Sequence, residues 1–197
     1  IFEKLFVYGT WDTAVYPGTE YVDMMIWNLS TYQTSLEAKP PPYTSAPHKQ
    51  KDDFIAFAFG EKTYSGDLPT SGSATYNLAT IGFWKYNNSR YAFKGDGSLT
   101  ANFSSMKIDG ELKLDYVTND LIDWSQLLNT DAGTIGLAGD ISGSSFSGTV
   151  SWYSSEDGYF EGNFFGPDAK EVGGTFTASE PENSFNNSII GSFIGVR

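Results

Sequence analysis

Three successive runs near the end of the chain place large side chains and glycine on one face. Phe146, Gly148, Val150 and Trp152 share a face, as do Phe160, Gly162 and Phe164, and then Val172, Gly174, Phe176 and Ala178. Side chains in an extended chain alternate between two faces, so period two marks each run as a strand. Rings interleaved with glycine are how side chains fill a narrow, tapering barrel interior, and few other β architectures need that pattern. A membrane-spanning barrel is the competing reading, but it would put apolar residues outward and polar ones inward. The ring-and-glycine face fits a packed soluble barrel better.

From about residue 71 onward the pattern continues, with strands expected near 74–84, 90–95, 98–104, 107–116, 134–141, 145–153, 158–165, 171–178 and 189–196. Tight reversals are expected at Tyr86-Asn87-Asn88-Ser89, Gly95-Asp96-Gly97, Ser142-Gly143-Ser144 and Glu156-Asp157-Gly158, because Gly and Asn tolerate positive φ. No helical pattern separates these strands except between Thr118 and Asp131. There Leu121, Ile122, Trp124, Leu127 and Leu128 recur at helical spacing, with Asn119 or Asp120 as a cap and Gly133 as a stop. A short helix over one barrel opening is the expectation. The first 70 residues differ: strand-like runs at 4–11, 21–32 and 53–60 are broken by Pro17-Gly18, Pro40-Pro41-Pro42 and Pro47. They read as a small β-rich ligand-binding domain over 1–70, attached to a barrel over 71–197.

Charge and composition exclude several function classes. A formal net charge of −12 repels phosphate backbones and anionic lipid surfaces, so nucleic acid and membrane-surface partners are not expected. The absence of cysteine removes disulfides, thiolate metal sites and cysteine nucleophiles. No apolar run is long enough for a membrane-spanning helix. The chain begins at Ile1 rather than Met, so removal of an upstream signal peptide is expected. Acidic pairs such as Asp52-Asp53, Asp120/Asp123 and Glu156-Asp157 fall in turns or at the expected helix start, where solvation explains them. No Ser/His/Asp order, phosphate loop, zinc ligand set or calcium loop is present, and an enzyme is not expected.

Residues Phe146-Ser147-Gly148, the stretch GYFEGNFFGPDAKEVGGTFTA from Gly158 to Ala178, and GSFIGVR from Gly191 to Arg197 together resemble the barrel of the transferrin-binding protein B family. The shared features are a Phe-Ser-Gly strand, a Gly-Pro turn after paired aromatics, an acidic residue before Gly-Gly-Thr-Phe, and a closing Gly-x-Phe element ending in Arg. The last element departs from the family pattern: Ile194 precedes Gly195 and the spacing to Arg197 is one residue shorter. Thr100 to Leu114 is similar to a strand pair of the same family. The resemblance covers about residues 72–197 and implies an all-β fold with an eight-stranded antiparallel soluble barrel.

The same resemblance implies a role at the bacterial cell surface or in secretion, with export by the surface lipoprotein assembly modulator machinery. Family members include surface lipoproteins that hold host transferrin or factor H, and secreted haem carriers of the hemophilin type. One barrel with one small N-terminal domain is similar in layout to the hemophilin branch. That layout implies a monomeric hemophore passing haem to a TonB-dependent outer-membrane receptor; a receptor or adhesin for a host protein is the alternative. Within PPPYTSAPHKQK, His48 is the only histidine, and an imidazole on a proline-stiffened loop suits haem iron. It reads either as that axial ligand or as a solvated loop residue. Tyr43, Met24, Met25, Trp27, Tyr8 and Trp11 are the candidate haem pocket, and Lys49 and Lys51 the candidate propionate contacts.

Overall fold

Period-two alternation over Ser73–Val196 produces eight strands that pair edge to edge until the last meets the first, in a computed structural model of the protein. The structure describes residues 18–31, 51–86, 89–117, 127–152, 155–179 and 187–197. The strands are β1 Val22–Thr31, β2 Lys51–Gly60, β3 Ser73–Tyr86, β4 Ser89–Asn102, β5 Lys107–Val117, β6 Leu127–Ser142, β7 Ser145–Trp152, β8 Ser155–Phe165, β9 Glu171–Ser179 and β10 Ser188–Val196. Strands β3 to β10 form a closed antiparallel barrel, with β10 completing it against β3. Strands β1 and β2 form a separate two-stranded antiparallel sheet lying on the barrel's outside. Among the described residues no helix is long and apolar enough to cross a membrane.

Rings fill the barrel interior. Phe146 lies near its centre, with its ring 5.2 Å from Phe164, 6.2 Å from Phe160 and 6.4 Å from Phe193. Tyr76, Phe93, Phe103, Trp152 and Phe176 are buried in the same cluster. Each fully buried ring contributes about 1.5–3 kcal/mol of transfer free energy, so this cluster alone makes the barrel a self-sufficient core. The outward positions of β7 are Ser145, Ser147, Thr149 and Ser151, all exposed. Polar residues outside and rings inside are the reverse of what a lipid-spanning barrel requires.

Two expected reversals are strand interior instead. Gly95-Asp96-Gly97 lies within β4, which runs unbroken and pairs Gly95 with Leu114 and Gly97 with Leu112. A Cβ on Gly95 or Gly97 would collide with the carbonyl oxygen of Lys113 or Glu111, so these glycines permit close backbone approach and not a turn. Merging the two expected strands into one brings the barrel to eight. Glu156-Asp157-Gly158 likewise belongs to β8. The reversal at Ser142-Gly143-Ser144 forms as expected, with Gly143 at φ 57°. The expected helix over 118–131 is corrected at its C-terminal end: residues 127–131 are strand, with Leu127 paired to Val117 and Leu128 to Tyr116. Register shifts between Lys113 and Asp115 and between Asp115 and Tyr116 break the period there, which is why adjacent leucines mimic helical spacing. Residues 118–126 lie outside the described residues.

Candidate binding surface

The β1–β2 sheet covers part of the outer face of the barrel, where β3 and β10 turn Ala79, Ile81 and Ile194 outward. Val22 and Met24 of β1 pack with Ala79 and Ile81 of β3, Phe165 of β8 and Ile194 of β10, flanked by half-buried Ala56 and Ala58 of β2. Gly173 of β9 makes room for this contact: a Cβ there would sit 2.7 Å from Val22 Cγ2 and 3.0 Å from Ala58 Cβ.

A buried carboxylate fastens one end of the sheet. Glu171, the first residue of β9, is fully buried and accepts three backbone N–H groups: Glu20 at 2.6 Å, Tyr21 at 2.8 Å and Val22 at 3.0 Å. A carboxylate with this many donors is stable inside a protein, whereas an unpaired one is not. Beside it, Lys170 Nζ donates to Glu20 at 2.7 Å and lies 5.3 Å from the centre of the Tyr21 ring. The hydrogen bond to Glu20 raises the Lys170 ammonium above its ordinary pKa. The same end of the sheet is fastened further by backbone, where β2 runs out beside the start of β1: Glu61 N–H donates to the Tyr21 carbonyl, Gly166 N–H to the Glu61 carbonyl and Thr63 N–H to the Phe164 carbonyl. Thr63 Oγ1 adds a 2.6 Å bond to the Gly166 carbonyl.

The face of the sheet turned away from the barrel carries exposed apolar side chains, with the exposed Asp23 opposite Phe59. Ile55 is 44% exposed and Phe59 45%, with Phe57 between them and its ring 5.8 Å from that of Phe59. Large side chains there and alanines on the barrel side explain the Ile-Ala-Phe-Ala-Phe order of β2. Beneath the outer edge of β2 runs a groove of about 460 Å³, floored by residues of β7, β8 and β9 that include Ser147, Glu161 and Thr175.

The residues expected to hold haem fall as follows. Met24 is buried between sheet and barrel. Met25 and Trp27 lie in β1, opposite Phe57 and Ile55, and Lys51 begins β2, opposite Thr31. His48, Tyr43, Lys49, Tyr8 and Trp11 lie outside the described residues. Among the described residues no group of three or more His, Asp or Glu could hold a metal ion. Ile55, Phe57 and Phe59 were not singled out by sequence reasoning, and Glu171 was noted only as the acid before Gly-Gly-Thr-Phe. A strand apolar at both its odd and its even positions was the signal for those three, and no local signal gave the buried role of Glu171.

A packed barrel thus carries a fastened two-stranded sheet whose outward side presents Ile55, Phe57 and Phe59. Residues 12–197 match the family described as the C-lobe and N-lobe beta barrels of Tf-binding protein B, and the chain belongs to that family. The match begins well before the barrel, so the external sheet is part of the family unit. Transferrin-binding protein B of Neisseria meningitidis serogroup A is 26% identical over 155 residues, covering 66% of this chain and 20% of that one. Similar solved structures are intact Ap-TbpB with its N and C lobes, at 16% identity and TM-score 0.57, covering 90% of this chain and 34% of that one. A transferrin binding protein B mutant from Haemophilus parasuis Hp5 aligns at 16% identity and TM-score 0.56, covering 90% and 33%. The isotype 1 protein from serogroup B Neisseria meningitidis aligns at 19% identity and TM-score 0.53, covering 91% and 32%. These structures support the fold; the chain spans about a fifth of the length of the curated relative and about a third of each solved one.

Proposed function

We propose that this chain is a host-protein-binding lobe displayed on the outer face of a bacterial outer membrane, and that its partner is transferrin. The observation that carries the reading is the exposed Ile55–Phe57–Phe59 face on a sheet fixed to the barrel by Glu171. Aromatic side chains held rigidly lose little freedom on docking and release much water, which is what makes them interface anchors. The naming of the Neisseria relative supports transferrin as the protein partner. In this reading the barrel supplies stiffness, and export through the surface lipoprotein assembly modulator machinery belongs to the same picture.

Immobilised transferrin presented to the purified chain tests the reading directly. Saturable binding that a heat-unfolded sample lacks is the expected result; no binding at tens of micromolar rejects transferrin as partner. Haem capture by His48, with delivery to a TonB-dependent receptor, is a separate proposal with its own test. Haemin mixed with the wild type and with His48→Ala supports it if a Soret shift occurs and is lost in the variant. An unshifted wild-type spectrum sets it aside.

A further inference from the structure

The two edges of the external sheet differ. The β1 edge is closed where it meets the barrel, because Val22 N–H donates to Glu171. The β2 edge pairs with β1 on one side and, among the described residues, with no strand on the other. Glu61 N–H bonds to the Tyr21 carbonyl, and alternation along an antiparallel ladder then puts residues 59, 57 and 55 in hydrogen-bonded register with Asp23, Met25 and Trp27. The N–H and C=O groups of Ala56 and Ala58 therefore point away from β1, toward the groove that both residues line. Proteins normally blunt such an edge with Lys, Pro or a bulge, and Ile55–Phe59 carries none of these.

We propose that this edge accepts an extended segment of the partner protein as a third strand. The proposal rests on the host-protein reading and adds how the partner is held. Backbone groups of the incoming segment pair with Ala56 and Ala58, and its side chains alternate between two surroundings. One set lies beside Phe57 and Phe59 on the outward face. The other points into the groove, onto Ser147, Thr175 and the exposed carboxylate of Glu161. The occupant is accordingly a strand in which apolar residues alternate with polar ones, the polar set meeting Ser147, Thr175 and the opposite charges of Glu161 and Lys62. A second copy of this chain is a poorer occupant, since two copies each carrying a net charge of −12 repel one another.

Residue-resolved amide hydrogen exchange, with transferrin as the probe, tests this. On binding, the amides of Ala56 and Ala58 should slow by about tenfold or more, as expected for gaining one hydrogen bond each, while Phe57, already in the ladder, changes little. Ala58→Pro removes an outward donor without touching the β1 ladder; it should weaken binding by about tenfold with the amides of Ile55 and Phe57 still protected. Transferrin that binds while Ala56 and Ala58 exchange as in the free chain overturns the strand-addition proposal and leaves the host-protein reading standing. Protection that appears in the chain alone and grows with its concentration also overturns it, making the occupant a second copy. If transferrin fails to bind, a seven-residue peptide of alternating valine and lysine at millimolar concentration decides the matter. Slowing of the same two amides supports the open edge, and unchanged exchange rejects it.

Discussion

Replacing Glu171 by Gln removes a charge from under the external sheet while keeping its volume. The wild-type carboxylate accepts three N–H groups at 2.6, 2.8 and 3.0 Å, of which that of Val22 is buried and the other two half-buried. Hydrogen bonds to a charged acceptor are worth about 1.5–3 kcal/mol each when buried. The amide keeps one oxygen as acceptor and turns an NH₂ toward groups that are themselves donors. With water replacing part of the loss at Glu20 and Tyr21, the cost comes to about 2–4 kcal/mol. Burial of Val22 and Met24 contributes about 1.5–3 kcal/mol for each side chain, so the carboxylate and the packing hold the sheet to a comparable degree. The barrel core does not include Glu171, and the sheet should therefore open as a local unit. Hydrogen exchange read by mass spectrometry would show peptides of β1 and β2 opening about 30- to 1,000-fold more often, with β5 to β8 unchanged. Unchanged protection in β1 and β2, or equal loss throughout the barrel, would refute the reasoning.

Three further outcomes follow from the same geometry. Phe146→Ala leaves a cavity where three rings meet and should cost about 3–5 kcal/mol, read as a lowered midpoint in urea unfolding. Gly173→Val pushes against Val22 and Ala58 and should unseat the external sheet with the barrel still folded, seen as exchange confined to β1 and β2. Tyr76 is buried, with its hydroxyl donating to the Ala169 carbonyl at 2.7 Å; burial pushes its phenol well above the ordinary value, and Arg197 pulls weakly the other way. Since the raised pKa belongs to the folded state, stability is full below about pH 10 and falls as the unfolded chain begins to lose that proton. Tyr76→Phe should lower stability near pH 7 by about 1 kcal/mol and flatten the alkaline decline relative to wild type.

The barrel was readable because its interior residues recur at period two and its rings alternate with glycine, a pattern that local sequence carries in full. Gly95-Asp96-Gly97 misled because composition does not say whether a glycine bends the chain or lets a neighbouring backbone come close. Only the pairing with β5 distinguishes the two. Leu127 and Leu128 misled because irregular register against β5 removes the strand period where it was being sought. Glu171 stood in plain view as the acid before Gly-Gly-Thr-Phe, but its partners are about 150 residues away, and no local pattern encodes them. The apolar face of β2 was hidden by the opposite problem. Ile55, Phe57 and Phe59 look like ordinary core until the structure shows which side of the strand the barrel covers.

The central claim is that the Ile55–Phe57–Phe59 face captures transferrin. Surface plasmon resonance against transferrin, comparing the wild type with Phe59→Asp, tests it most directly. Removing an aromatic anchor and burying a charge in its place should weaken binding by at least about 30-fold, the equivalent of a 2 kcal/mol hot spot, with the thermal melt unchanged because Phe59 is exposed. Equal affinity in wild type and variant would contradict the account.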